Sequence, residues 1–112
     1  MTGAEPKIWE IWLVCFAYED DPSNSTKRPA VITPAGATFI SYKITSKPPR
    51  KYDQFDYAIA YWQHAGLEAP STARIAKQLV LKREDLIHKI GRLHTIDIMQ
   101  IQSLISRFSE DC

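Results

Sequence analysis

Arg28-Pro29-Ala30-Val31-Ile32-Thr33, then Pro34-Ala35-Gly36, then Thr38-Phe39-Ile40-Ser41-Tyr42-Lys43-Ile44-Thr45 is the stretch whose reading decides the fold. The first run is apolar and β-branched, which favours a strand. Its proline sits at the beginning, where a missing backbone N–H does least harm to a ladder. Pro34-Ala35-Gly36 supplies turn chemistry, so residues 38–45 return as an antiparallel strand. Pairing brings Arg28, at the start of one strand, toward Thr45-Ser46, at the end of the other. A fixed guanidinium and a hydroxyl can there converge on one phosphate.

Upstream of this hairpin, residues 8–18 are rich in aromatic and branched side chains and read as another strand. Residues 19–27, Glu-Asp-Asp-Pro-Ser-Asn-Ser-Thr-Lys, are acidic and polar with no apolar periodicity, and read as a long loop. Downstream, Ser46-Lys47-Pro48-Pro49-Arg50-Lys51 is a stiff basic connection that proline keeps extended. Residues 53–57 suggest a short strand, residues 57–65 a short helix closed by Gly66, and residues 71–81 a strand. Residues 82–90 read as a helix, with Leu86, Ile87 and Ile90 spaced for one face and Gly91 to end it. The last element is the clearest. Thr95 is placed to cap it, and Ile98, Ile101, Leu104, Ile105 and Phe108 follow at helical spacing. Strands first and helices last predict an α+β domain, a small and strongly bent antiparallel sheet packed by helices.

The sequence has 112 residues, enough for one domain with one core, and the whole of 1–112 reads as that domain. Its formal net charge of +1 means that any site for a polyanion is a local patch rather than a global field. Cys15 and Cys112 lie far apart without metal-ligand spacing and read as free thiols of a reducing cytoplasm. No stretch has the length of a membrane span, and the start lacks the pattern of a signal peptide. The expected location is the cytoplasm, with no membrane contact.

Several of these elements together resemble the MazF/PemK-type toxins of bacterial toxin–antitoxin pairs. They are Ile11-Trp12-Leu13-Val14-Cys15-Phe16, the Lys27-Arg28-Pro29-Ala30-Val31 strand start and the Ile44-Thr45 strand end. Ala73-Arg74 and the Lys89-Ile90-Gly91-Arg92-Leu93 run before the final amphipathic helix complete the set, so the likeness spans residues 11–108. The resemblance implies an SH3-like small antiparallel β-barrel with appended helices, usually a homodimer. It implies a metal-independent endoribonuclease, without cofactor, that cuts single-stranded RNA and is silenced by a protein antitoxin. Cleavage in that family proceeds by attack of the ribose 2′-hydroxyl on the adjacent phosphate. The family's arginine ahead of the proline falls on Arg28, its strand-end threonine on Thr45 and the second arginine of PemK-like members on Arg74.

The chain departs from the family twice. Ala76 stands where PemK-like members have an aspartate, and Ser23 where MazF-like members have a glutamate. Neither standard carboxylate is present. Glu19 is the first substitute, ahead of Asp20 and Asp21, because it lies nearest the strand end.

Each candidate has a structural reading beside the functional one. Arg28 suits the crowded charge of a transition state and remains charged, which makes it a poor base; otherwise it is a surface arginine paired with the acidic loop. Thr45 and Ser46 can donate to a phosphate oxygen, or be ordinary strand-end and turn residues, and Arg74 can be a solvent-facing strand residue. Lys43, Lys47, Arg50 and Lys51, interleaved with Tyr42 and Tyr52, form a basic and aromatic cluster fit for RNA or for solvent. His64, His88 and His94 suit no zinc site, and none falls in a segment expected at the cleft. Trp9, Trp12, Phe16 and Phe39 belong to the core or to a dimer interface. Two rival readings use the same residues: an inactive SH3-like module that binds RNA or protein, and a CcdB-like toxin that poisons DNA gyrase.

Overall fold

The structure, a computed structural model, describes residues 5–18 and 21–111, with side chains described over 5–15 and 26–110. Six strands and one helix follow in order: β1 (Glu10–Tyr18), β2 (Asp21–Ala35), β3 (Thr38–Thr45), β4 (Asp56–Ala58), β5 (Thr72–Leu81), β6 (Leu86–Arg92) and α1 (Thr95–Asp111). They form one antiparallel sheet in the order β4-β5-β3-β2-β1-β6. Because β4 and β6 end that order as edges, the sheet is open. The α+β class holds, while the closed barrel implied by the resemblance is replaced by an open sheet with one helix among the described residues.

Both faces of the central strands are apolar, so each supports its own core. One face carries Ile11, Val31, Tyr42, Ile44, Ala73 and Ile75, covered by Ile101 and Leu104 of α1 and by Ile59 and Ala65. The other carries Trp12, Val14, Ala30, Ile32, Phe39, Leu81 and Leu86. Trp9, Trp12 and Phe39 are thus buried within the chain rather than held for a partner. Phe16's side chain, like Cys112, lies outside the described residues.

Three sequence expectations give way to tertiary pairing. Residues 21–27 are strand, because β1 offers backbone partners as far as Phe16↔Thr26 and Ala17↔Ser25 whatever the side chains. Residues 82–90 form a 3-10 turn, Arg83–Asp85, and then β6 instead of a helix. Register shifts between Ile11 and Trp12 and between Leu13 and Val14 break the two-residue alternation of β6, which imitates helical spacing. Residues 57–65 contain one α-type bond, Ala65 N–H to Tyr61 O at 3.1 Å, and no helix. Asp97, fully buried, holds this segment instead: its carboxylate accepts from Tyr57 Oη at 2.6 Å and from the Ala60 and Tyr61 N–H groups at 2.9 Å.

The cap of α1 also lies one residue earlier than expected. Ile98 N–H donates to His94 O at 2.9 Å, and Ile96 N–H donates to His94 Nδ1 at 3.1 Å, so His94 rather than Thr95 caps the helix.

Two glycines seat the 59–71 segment against β6. Gly66 has φ 90°, and a Cβ there would stand 2.6 Å from Ile90 O. A Cβ on Gly91 would stand 2.1 Å from Ala65 O. Only bare backbone fits at this crossing, and the crossing fixes the wall that residues 66–69 present to the site.

Candidate active site

The ladder brings the basic residues of three adjacent strands together. Lys43 pairs with Ala30 on one side and with Arg74 on the other. Directly opposed residues share a face, and residues two apart on a strand share it again. Arg28, Lys43, Thr45 and Arg74 are therefore set on one face by register. A cavity of about 820 Å³ opens there, lined by all four and by Ser46 and Lys47. Its other wall comes from Gly66, Leu67, Glu68 and Ala69 and from His88, Lys89 and Ile90.

Charge in this cavity is unbalanced. The ion pairs among the described residues are Arg50–Asp53, Arg50–Asp56 and Lys89–Glu10, and none involves Arg28, Lys43, Lys47 or Arg74. Lys43 is half-buried. Burial lowers the pKa of its ammonium, and the charges of Arg28, Arg74, Lys77 and Lys47 push it the same way. Arg74 adds a buried Nε with no hydrogen-bond partner among the described residues. A buried donor left without an acceptor is uncommon and costly, and an incoming phosphate oxygen would satisfy it.

Thr45 is fixed by the turn that follows it. Its Oγ1 accepts from Lys47 N–H at 3.3 Å, which leaves the hydroxyl hydrogen to donate elsewhere. Lys47 O in turn accepts from the buried Thr72 hydroxyl at 2.7 Å. The strand end is thereby pinned on both sides.

Other sequence candidates fall differently. Arg50 does not line the cavity; its guanidinium donates to Asp56 Oδ2 at 3.0 Å and to Asp53 Oδ2 at 2.6 Å. Burial pushes the Asp56 carboxyl up, but the bonds from Arg50 prevail and hold it below the usual range. Tyr42 is buried in the core and offers no ring to an unpaired base, whereas Tyr52 is exposed beneath Arg50. The basic and aromatic cluster thus divides: Lys43 and Lys47 face the cavity, and Arg50 serves structure. Glu19 and Asp20 lie outside the described residues, as does the side chain of Asp21.

Two cavity residues were missed by sequence reading. His88 lines it, contrary to the expectation that no histidine reaches the cleft, because residues 86–92 form an edge strand in place of the expected helix. Its Nδ1 lies 3.3 Å from Lys89 O. A carbonyl can only accept, so in the neutral ring this contact favours the tautomer with its proton on Nδ1 and with Nε2 as the acceptor. Glu68 lines the cavity because of the glycine crossing, for which the sequence gives no local signal. His94 stays with its helix, stacked on Tyr61 at 4.0 Å. Lys89, among the described residues, is the one cavity cation held in an ion pair, at 3.0 Å from Glu10 Oε2. Burial raises the Glu10 carboxyl, yet bonds from the Trp12 indole, Lys7 N–H and Lys89 leave it below its ordinary value.

The sequence matches the profile of the PemK-like, MazF-like toxin of type II toxin-antitoxin system over residues 7–109. The chain belongs to this family. No curated protein sequence matches it. Its fold is similar to MazF in a MazE–MazF complex from Deinococcus radiodurans, with TM-score 0.72, 10% identity and coverage of 94% of this chain and 96% of that one. It is also similar to an endoribonuclease in complex with its cognate antitoxin from Mycobacterial species, with TM-score 0.71 and 11% identity over 92% and 93% of the two chains. Mycobacterium tuberculosis toxin MazF-mt6 matches with TM-score 0.64 and 16% identity over 88% and 93%. At such identities the likeness speaks for the fold. What this PemK/MazF member does with its cavity rests on the cavity itself.

Proposed function

We propose that this chain is the endoribonuclease toxin of a toxin–antitoxin pair, cutting single-stranded RNA of the cytoplasm by attack of the 2′-hydroxyl on the adjacent phosphate. The observation that carries the reading is the cavity that gathers Arg28, Lys43, Lys47 and Arg74, cations without ion-pair partners among the described residues. Arg28 and Arg74 hold the phosphate, each able to grip two oxygens while staying charged. The Thr45 hydroxyl donates to one of the same non-bridging oxygens. As charge builds on the five-coordinate phosphorus, these fixed donors stabilise it without reorganising.

The attacking hydroxyl needs a base. His88 fills that role, since its Nδ1 contact with Lys89 O leaves Nε2 free to accept. Lys47 and Ser46, both exposed at the cavity mouth, follow the strand beyond the scissile bond. A homodimer and a protein antitoxin that covers the cationic cavity complete the picture. No helix among the described residues is long and apolar enough to cross a membrane.

Incubation of the purified chain with single-stranded RNA in the presence of a chelator tests this reading. Products ending in a 2′,3′-cyclic phosphate and a 5′-hydroxyl are expected. RNA that is bound but left whole would overturn it in favour of an inactive binding module. Growth arrest with intact RNA and broken DNA would instead select a gyrase poison.

A further inference from the structure

We propose that Lys43 is the proton donor to the leaving 5′-oxygen, taking up proton transfer in a site whose family carboxylate positions hold Ser23 and Ala76. This rests on the endoribonuclease reading above and deepens it.

Placement singles Lys43 out. It stands in the ladder directly opposite Arg74, on the face that Arg28 and Thr45 share, and it lines the same cavity. The two guanidiniums beside it keep their protons at any working pH, so they stabilise charge but release nothing. A threonine hydroxyl is too weak an acid. An ammonium is the group in this cluster that can carry charge in the ground state and give up a proton as the reaction proceeds.

The surroundings favour that release. Lys43 is half-buried among Arg28, Arg74, Lys77 and Lys47, with no carboxylate paired to it among the described residues. Burial and like charge both weaken its hold on the proton. Such a position costs the folded chain stability when empty, and an incoming phosphate relieves that cost. Substrate thus loads Lys43 with its proton, and departure of the 5′-oxygen draws it off.

The attacking and leaving oxygens stand in line across phosphorus, so acceptor and donor must approach from opposite sides. Lys43 of β3 and His88 of β6 line the same cavity, from strands that flank β2 and β1. The step balances: the 2′-oxygen bonds to phosphorus as its proton passes to His88 Nε2. The bond from phosphorus to the 5′-oxygen breaks, and that oxygen takes the Nζ proton of Lys43. Solvent then takes the proton from His88 and returns one to Lys43, which restores both groups.

Two variants and two substrates test this. Lys43→Arg keeps the charge but cannot donate at working pH, and Lys43→Met removes both. Each is compared with the parent on ordinary RNA and on the same RNA with sulfur replacing the bridging 5′-oxygen at the scissile bond. A thiolate leaves without a proton. On ordinary RNA both variants should lose roughly 10² to 10³-fold in cleavage rate. On the sulfur substrate the loss for Lys43→Arg should shrink to within about tenfold, as expected where proton donation is no longer needed. Lys43→Met should melt at or above the parent's temperature, because it removes a half-buried charge crowded by like charges, whereas Lys43→Arg, which keeps that charge, should melt near the parent. An equal loss on both substrates, or no loss on either, would overturn the assignment of Lys43 alone. A parent chain that cleaves neither substrate would overturn the endoribonuclease reading with it.

Discussion

Lys43 and Lys47 on one side of Pro48-Pro49, and Arg50 on the other, belong to a single basic stretch of sequence but to opposite kinds of site. At the end of β3 the cations crowd one another around an open cavity without ion-pair partners among the described residues. Past the prolines, Arg50 is taken up by two aspartates, one of them with a fully buried side chain. The first cluster is costly to the empty fold and useful to an anion. The second is satisfied already. What separates them is how many carboxylates the fold brings near, which no count of basic residues conveys.

Arg28→Ala and Arg50→Ala should break the molecule in opposite ways, and the pair gives the widest contrast. Removing Arg28 deletes a preorganised donor to transition-state charge, worth roughly 10² to 10³-fold in rate. Its melting temperature should stay with the parent, since no described partner is left stranded. Arg50→Ala should retain cleavage by the molecules that remain folded but lower the melting temperature by several degrees, leaving the buried Asp56 carboxylate unpaired. That deficit depends on pH. Arg50 holds the Asp56 carboxyl below its ordinary value against the opposing effect of burial. The pair's contribution is therefore complete above the ordinary carboxylate range, about pH 4, and is lost as pH falls through the lowered value. Melting curves of parent and Arg50→Ala should converge in acid. If Arg50→Ala instead abolishes cleavage while melting normally, the contrast between the clusters collapses.

A smaller loss is expected across the cavity. His88→Gln should slow cleavage by about 10²-fold, the lower end for a general base, whereas Glu68→Gln should stay within tenfold of the parent. The reverse ranking would move the base to Glu68.

Much of this was legible, and the failures share a cause. The hairpin of residues 28–45, the strand at 72–81 and the final helix each carry a strong local pattern, and tertiary contacts agree with it. Thr45 at the end of β3 and Arg74 near the start of β5 were readable as candidates from their strand-end places, and Arg28 from the proline after it, although β2 runs back to Asp21 and leaves Arg28 in mid-strand. Whether they shared one face was not, since that depends on the Lys43↔Arg74 register beyond a shift between Tyr42 and Lys43. His88 was hidden by two register shifts in the β1–β6 ladder, which turned an edge strand into something with helical spacing. Glu68 was hidden by a contact between backbones, Gly66 against Ile90 and Gly91 against Ala65, that no side chain announces. The closed barrel failed for a related reason: strand content is local, but whether the edges meet is not.

The smallest effect sharpens the comparison most directly, because it reads charge rather than chemistry. Lys47 is exposed at the cavity mouth and has no ion pair among the described residues. If it tracks one phosphate of a single strand, it contributes about 0.7 to the slope of log affinity against log salt. Lys47→Ala should therefore flatten that slope by roughly this amount, weaken binding modestly at low salt and leave the melting temperature alone. Arg50→Ala, measured the same way below its melting temperature, should leave the slope as it is, since a guanidinium already neutralised by two carboxylates releases no counterion from RNA. Equal slopes for the two variants would mean that the strand runs past the prolines and competes with Asp53 and Asp56 for Arg50. The two clusters would then be one surface, divided only while RNA is absent.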